Sequence, residues 1–151
     1  MDLYIYESTI QGFRDGEFDL AALFNRVPSE REKFINEIIK PIVQVLRTPN
    51  VGAALTVAGH ADRYDVINDH KQCLPVERTA SEKRLTSALA QIHYLVKQRE
   101  PSAPADLNTL AYFDVNQRAA GASNLESPNP ASETERLKNR RIQARLLVYI
   151  P

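Results

Sequence analysis

The chain has 151 residues, of which 43% are hydrophobic and 25% are charged, the balance of an ordinary globular protein with one buried core. Its 19 Lys and Arg residues match 19 Asp and Glu residues, which excludes the net positive field that nucleic acids and anionic membranes attract. The single cysteine, Cys73, excludes an internal disulfide bond. No stretch approaches the ~20 apolar residues of a membrane span, and no Sec-type signal opens the chain. We therefore expect a protein made in soluble form in the cytoplasm.

The first third of the chain is predicted to form a strand and a helix. Residues 3–13 mix apolar and polar positions as a strand does, and a turn at Gly16 follows. The pattern of residues 18–24 does not distinguish a helix from a strand or a loop. The capping box that begins at Ser29 predicts the start of a helix, and apolar residues at three- and four-residue steps continue that helix to Leu46. Pro41 is expected to kink it.

The remaining elements alternate in the same way. The apolar run over residues 51–58 predicts a strand covered on both faces, and residues 63–78 are predicted to be a long loop. A second capping box, over residues 79–82, predicts the next helix. Further predictions are a strand over residues 110–115, a loop over 121–130, a short helix capped by Ser132 or Thr134, and a final strand over 142–150. This order favours an α/β protein, specifically an α+β two-layer sandwich with helices on one face of a mixed sheet.

Three separated fragments carry the most specific chemistry. They are Gly59-His60-Ala61-Asp62 at the end of a strand, Ser81-Glu82-Lys83-Arg84 at the predicted start of a helix, and Asn139-Arg140-Arg141 before the final strand. An ionised aspartate accepts hydrogen bonds from an ammonium group, and an arginine holds a carboxylate through its planar fork. Asp62 and Arg84 could therefore hold the two ends of a zwitterion, with backbone donors at Ser81 assisting. The competing interpretation is an internal Asp62–Arg84 ion pair.

These fragments resemble the OmpA-like domain family, which includes OmpA C-terminal domains, Pal lipoproteins and MotB-type stator proteins. That family shows a strand ending in Gly-His-Thr-Asp, a helix opening with Leu-Ser-x-x-Arg-Ala, and Asn-Arg-Arg before an apolar strand. The resemblance implies a β-α-β-α-β-(α)-β domain over residues 18–151, preceded by an N-terminal strand or extension over residues 1–17.

The resemblance also implies a function. It predicts a non-catalytic module that binds peptidoglycan through the diaminopimelate of the stem peptide and anchors or docks an assembly to the cell wall, on the periplasmic side. Asp62, Arg84 and Ser81 would bind the ligand, with His60, Asn139 and Arg140 in support. No cofactor, metal, nucleic acid or membrane span is expected.

Four departures from the family pattern support an alternative. Ala61 replaces the threonine before the aspartate, Asp65 replaces a glycine, Glu77 replaces an asparagine, and the loop that follows Asp62 is long. The alternative is a structural or protein-interaction component of a larger assembly, of the phage-tail or injection-machine type. Such a component would keep the OmpA-like fold with a lost or repurposed pocket.

The sequence also contains two enzyme-like combinations of residues. His60, Asp62, His70 and Cys73 include residue types that bind zinc, although their spacing matches no established signature. Cys73 and His93 include a nucleophile and a base, but no oxyanion-hole pattern adjoins Cys73. We therefore expect neither a metal centre nor an enzyme.

Overall fold

The computed structural model describes residues 2–63 and 70–151. In chain order the elements are β1 (Asp2–Gln11), α1 (Leu20–Arg26), α2 (Pro28–Phe34), a π-helical turn (Ile35–Ile39), α3 (Lys40–Arg47), β2 (Gly52–Gly59), α4 (His70–Arg99), a 3-10 turn (Leu107–Thr109), β3 (Phe113–Ala119), α5 (Glu133–Asn139) and β4 (Arg141–Ile150).

The four strands form one mixed sheet in the order β1-β4-β2-β3. Strand β4 is antiparallel to both β1 and β2, and β3 is parallel to β2. Gly59, the last residue of β2, pairs with Ile142 at the start of β4 and with Ala119 at the end of β3. Gly59, Ala119 and Ile142 therefore lie at one end of the sheet, next to the first and third of the fragments identified in the sequence.

One face of the sheet packs against the helices. Along β4, Ile142, Ala144, Leu146 and Val148 are buried, while Arg145 between them is exposed, as expected for a strand with one covered face. The core adds large apolar side chains from the helical layer, among them Leu20, Phe34, Ile38 and Leu95. The predicted fold class, helices on one face of a mixed sheet, is confirmed.

The first long helical segment begins earlier than predicted and contains a π-helical turn. Pro28 opens α2, and no side chain caps its preceding residue, Val27; the capping box predicted at Ser29 is therefore wrong. Proline fits the first helical position because the amide hydrogen that it lacks has no helical acceptor there. The distortion expected at Pro41 takes the form of a π-helical turn just before it, in which the Lys40 N–H bonds to the Ile35 carbonyl.

Helix α4 begins at His70, much earlier than predicted. The predicted loop is therefore wrong for residues 70–78, and the helix start predicted at residues 79–82 is wrong as well. Ser81 lies inside the helix, where its hydroxyl group donates to the Arg78 carbonyl at 2.8 Å instead of capping a free end. The part of the predicted loop over residues 64–69, including Asp65, lies outside the described residues.

The later elements follow the predictions more closely. Strand β3 starts at Phe113, three residues after the predicted start at 110, because the 3-10 turn Leu107–Thr109 still bonds the Leu110 N–H. Ser132 caps α5 by accepting from the Glu135 N–H at 3.3 Å. The predicted final strand is confirmed as β4. Within residues 2–63 and 70–151, no helix has the length and apolar character needed to cross a membrane.

Candidate ligand-binding site

The fold brings the three fragments together at one end of the sheet. Asp62 follows β2, Asn139 and Arg140 precede β4, and the β2–β4 pairing makes these segments neighbours. Helix α4 is held close to the end of β2 by Gly59. A Cβ atom at Gly59 would collide with the Ser81 carbonyl oxygen and lie 2.8 Å from the Leu85 nitrogen. This contact places Arg84, on the same part of α4, beside the Asp62 segment.

A cavity of about 510 Å³ opens at this end of the sheet. Both Asp62 and Arg84 line it. The complete lining is Asp15, Gly16, Phe18, Ala61, Asp62, Arg63, Val76, Glu77, Ala80, Arg84, Glu133, Arg136 and Arg140. The lining is therefore rich in charge of both signs, as a site for a zwitterion would be.

The Asp62 carboxylate is buried and already accepts from several groups. Its side chain is 6% exposed. One oxygen, Oδ1, accepts from Asn139 Nδ2 at 2.8 Å. The other, Oδ2, accepts from Arg136 Nη1 at 2.6 Å and lies 3.8 Å from Arg140 Nη2. Two arginines and an amide therefore surround this single acid.

Arg84 has a different environment, because its hydrogen bonds go to backbone carbonyls. Its Nη1 donates to the His60 carbonyl at 3.1 Å, and its Nε and Nη2 donate to the Glu17 carbonyl at 3.2 and 3.1 Å. A guanidinium has five N–H groups, so 5 − 3 = 2 of them donate to none of the described residues. The Phe13 and Phe18 ring centroids each lie 5.2 Å from its central carbon, within cation–π range.

Burial, and to a smaller extent the charge of Arg140, lower the pKa of Arg84 to about 10, while Asp15, Glu17 and Asp62 oppose the shift. The guanidinium therefore stays protonated at neutral pH. Arg84 is only 2% exposed. Among the described residues its hydrogen bonds go to carbonyls and not to a carboxylate, and a buried cation without a directly bonded anion is energetically costly. An anionic ligand group in the cavity would offset that cost.

Asp62 and Arg84 do not pair with each other. Across the described residues, the ion pairs of Asp62 are with Arg136 and Arg140, and the donors of Arg84 go to carbonyls. The internal ion pair considered from the sequence is therefore wrong. The two residues line one cavity, and the charge of each contacts other groups: arginines at Asp62 and backbone carbonyls at Arg84.

Asn139 and Arg140 link this end of the sheet to the loop over residues 121–130 and to α5. The fully buried Asn139 side chain accepts from the Ser127 N–H at 2.8 Å and donates to the Ser127 carbonyl at 2.9 Å. Arg140 Nη1 donates to Glu133 at 2.6 Å. Both residues thus brace the surroundings of Asp62, in addition to contacting it.

Ser81 contributes through its hydroxyl group, which bonds backbone groups, and His60 contributes through its carbonyl group. The fully buried Ser81 hydroxyl accepts from the Gly121 N–H at 2.9 Å, in addition to its bond within α4. The His60 carbonyl accepts from Arg84, while its buried imidazole is influenced by Arg141, Gln143 and Arg118. Burial and the two arginines lower the pKa of His60 to about 4, against a smaller opposing effect of Gln143. The imidazole is therefore neutral at physiological pH.

Two of the departures from the family pattern line the same cavity. Ala61 and Glu77 are both buried there. The Ala61 N–H donates to the Gly121 carbonyl at 2.8 Å, so this position keeps its backbone role without a hydroxyl group. Glu77 adds an acid to the wall of the cavity.

Sequence reasoning missed Arg136. A signal was present, because Arg136, Asn139 and Arg140 are spaced three and four residues apart at the end of a predicted helix. Such spacing places side chains on one helical face, and here that face meets Asp62.

The enzyme-like combinations are not assembled. Among the residues described, no group of three or more His, Cys, Asp and Glu side chains could hold a metal ion; the side chain of His70 lies outside the description. Cys73 and His93 are 93 − 73 = 20 residues apart on α4, which separates them by about 30 Å. A Cys73–His93 catalytic pair is therefore wrong.

The fold and the site together define an α+β domain with a charged cavity at one end of its mixed sheet. No family model and no curated protein matches the chain, but several solved structures do. The cell wall anchor of the T6SS from Pseudomonas aeruginosa is 15% identical, with 96% of this chain and 82% of that chain covered and a TM-score of 0.48.

Two further solved structures carry the name MotB, one of the protein types that the three fragments resemble. A putative MotB-like protein from Desulfovibrio vulgaris is 15% identical, with 94% of this chain and 74% of that chain covered and a TM-score of 0.46. The periplasmic domain of Helicobacter pylori MotB is 16% identical, with 72% and 63% covered and a TM-score of 0.38.

Proposed function

We propose that this chain is a non-catalytic peptidoglycan-binding module that holds the diaminopimelate of the stem peptide in the cavity lined by Asp62 and Arg84. One observation carries the proposal. A buried acid and a buried arginine line the same cavity without pairing, and over residues 2–63 and 70–151 no carboxylate forms an ion pair with the arginine. An internal ion pair would have left the cavity without these two complementary groups.

The chemistry of diaminopimelate fits these two groups. The far end of its side chain carries an ammonium group and a carboxylate on one carbon, whereas lysine carries only the ammonium group. The two undonated N–H groups of Arg84 suit a carboxylate, and Asp62 suits an ammonium group. The site is therefore expected to prefer diaminopimelate-type wall to lysine-type wall. Binding would anchor or dock an assembly to the wall on the periplasmic side.

The test is retention on isolated sacculi. Wild type should sediment with diaminopimelate-type sacculi and remain in solution with lysine-type sacculi, while Asp62→Ala and Arg84→Ala should remain in solution with both. Arg145→Ala is the matched control, since Arg145 is exposed on the sheet face away from the helices. Equal retention of all four proteins would reject the assignment of this cavity.

Arg84 is so deeply buried that its alanine variant could fail to fold. Arg84→Lys is therefore the second variant, because it keeps the charge and loses the fork that holds a carboxylate. A folded Arg84→Lys variant, verified by circular dichroism, should show reduced retention. Full retention of the folded lysine variant would count against the arginine as the carboxylate-binding group.

A second function, as a protein-interaction component of a larger assembly, is favoured by the edge of the sheet. Strand β1 is an edge strand, and Leu3, Tyr4, Ile5 and Tyr6 on it are 57%, 45%, 50% and 37% exposed. Exposed apolar edge strands are places where another chain can add a strand. On this alternative, Ile5→Lys would abolish co-purification of a protein partner, whereas Asp62→Ala would not. Binding of that partner would not require sacculi.

A further inference from the structure

The segment over residues 12–19, between β1 and α1, holds the Arg84 side chain. Its Glu17 carbonyl accepts from Arg84 Nε at 3.2 Å and from Nη2 at 3.1 Å. The Phe13 and Phe18 ring centroids each lie 5.2 Å from the central guanidinium carbon. Helix α4 supplies the backbone of Arg84, but this segment supplies the acceptor for two of its three described hydrogen bonds and both aromatic contacts.

The segment is itself fixed at both ends. Near its start, Arg26 Nη2 donates to the Gly12 carbonyl at 2.9 Å and also pairs with the Glu17 carboxylate. Near its end, the Ser87 hydroxyl group on α4 donates to the Phe18 carbonyl at 2.8 Å. The Glu17 carbonyl and the Phe18 ring are therefore held in place relative to α4.

The two rings that contact Arg84 differ in exposure. Phe13 is fully buried in the hydrophobic core. Phe18 is partly exposed and lines the cavity together with Arg84. Lys83 Nζ lies 4.9 Å from the Phe18 ring centroid, so this ring contacts two cations. Phe18 is therefore the aromatic contact of Arg84 at the wall of the cavity.

The described hydrogen bonds of Arg84 leave a specific pair of donors. Nε has one N–H group and each terminal nitrogen has two. Nε, Nη1 and Nη2 each donate once to a described carbonyl. The two N–H groups that donate to none of the described residues are therefore one on Nη1 and one on Nη2. Donors on both terminal nitrogens suit the two oxygens of one carboxylate.

We propose that Phe18 is a positioning residue, which keeps the Arg84 guanidinium oriented so that these two N–H groups bond the carboxylate of the ligand. This inference rests on the proposed function of the same cavity. The quadrupole of the ring attracts the cation, and a side chain that is already oriented loses less conformational entropy when a ligand binds. Phe18 thereby strengthens the contact with the carboxylate, the group that distinguishes diaminopimelate from lysine.

The first measurement compares two substitutions of Phe18 by isothermal titration with a stem tripeptide that ends in diaminopimelate. Phe18→Leu keeps an apolar side chain and removes the ring, and it should weaken binding about fivefold, the scale of a partly exposed cation–π contact. Phe18→Tyr keeps the ring and should bind as wild type does.

A second probe separates the orientation of Arg84 from a general defect of the site. It is the same tripeptide with the side-chain carboxylate of diaminopimelate converted to an amide, which leaves the ammonium group free to contact Asp62. Phe18→Leu should change binding of this probe by less than about twofold, because no carboxylate reaches Arg84. A general defect would weaken binding of both probes by the same factor.

The orientation of Arg84 is also measured in the protein without ligand. Its Nε–H, which donates to the Glu17 carbonyl, gives a side-chain NMR signal that Arg84→Lys identifies by its loss. Hydrogen exchange of this N–H should be about fivefold faster in Phe18→Leu, because the hydrogen bond opens more often without the ring. Exchange in Phe18→Tyr should match wild type.

Phe24→Leu is the matched control. Phe24 is 2% exposed, its ring centroid lies 5.7 Å from that of Phe34, and it does not line the cavity. The same chemical change at this position should lower stability and leave both the affinity of the folded protein and the exchange of the Arg84 N–H unchanged.

Faster exchange and selectively weaker binding of the diaminopimelate probe in Phe18→Leu support the inference. Unchanged exchange, unchanged binding, equal weakening for both probes, or equal weakening in Phe18→Leu and Phe18→Tyr overturns it. If the amide probe binds to none of these proteins, the comparison of the leucine and tyrosine variants decides in its place. If wild type binds neither the tripeptide nor sacculi, the proposed function fails, and the exchange measurement still decides whether Phe18 positions Arg84.

Discussion

Gly59 and Ser81 pack so closely that the end of β2 meets the backbone of α4 without an intervening side chain. Any Cβ atom at Gly59 would collide with the Ser81 carbonyl oxygen. The contact sets the distance between the sheet and the part of α4 that carries Arg84. It thus links the glycine of the first fragment to the geometry of the cavity.

Gly59→Ala should destabilise the fold by about 2 kcal/mol, because the added methyl group meets backbone atoms that cannot move independently. Gly52→Ala is the control, since its Cβ would lie 2.6 Å from an atom of the Tyr149 ring, a side chain that can turn aside. Urea denaturation of both variants measures the difference. Equal losses of unfolding free energy would contradict the close approach at Gly59.

Asn139→Ala should lower the free energy of unfolding by about 2–3 kcal/mol. The substitution leaves the Ser127 N–H and one oxygen of the buried Asp62 carboxylate without their partner, and unpaired buried polar groups carry such costs. Asn116→Ala, at an exposed position of β3, should cost little. A loss at Asn139 no larger than that at Asn116 would argue against the bracing role.

Ser81→Ala should lower stability by about 1–2 kcal/mol through the loss of the acceptor for the Gly121 N–H. Its folded fraction should still be retained on sacculi, because the hydroxyl group bonds the backbone on both sides. Ser29→Ala should change stability by less than about 0.5 kcal/mol, since Pro28, and not Ser29, opens its helix. Loss of retention by well-folded Ser81→Ala would instead indicate ligand contact.

Stability should fall as the pH is lowered from about 6.5 to about 4. The folded state holds the pKa of His60 at about 4, below its ordinary 6.5, so in this window only the unfolded state binds the proton. The interval corresponds to at most about 3 kcal/mol. Above pH 6.5 the residue contributes no pH dependence, and below pH 4 its effect is complete.

The measurement is the free energy of unfolding at pH 7 and pH 4.5 for wild type and His60→Gln. The glutamine variant should lose less stability between the two pH values, because it cannot take up this proton. His93→Gln, at an exposed position of α4, should follow wild type. Identical pH profiles for wild type and His60→Gln would show that the imidazole is not held neutral.

The sequence predicted those parts of the fold in which a local pattern and the tertiary environment agree. The alternation in β4 survives because one face of the strand is buried and the other is not. The apolar run over residues 51–58 correctly predicted a strand, but coverage of both its faces was wrong, because burial alternates along β2 and Thr56 is exposed. Ser132 caps α5 as predicted, because nothing upstream extends that helix.

The capping boxes at Ser29 and at residues 79–82 failed for a common reason. A serine followed by an acid shows that a helix can start at that point, but it does not prevent earlier residues from joining the helix. Pro28 does so in α2, and residues 70–80 do so in α4, where Cys73 and Glu77 are buried. Packing of those earlier residues decided the helix starts.

By itself, the sequence determined the fold class and predicted that Asp62 and Arg84 form a pair of complementary charges. Only the tertiary structure decided which groups those charges contact. Local spacing groups Arg136 with Asn139 and Arg140, but only the approach of α5 brings that group to Asp62. The Glu17 and His60 carbonyls, 84 − 17 = 67 and 84 − 60 = 24 residues away in sequence, hold Arg84. Such partners depend on how distant segments pack, and no local pattern encodes them.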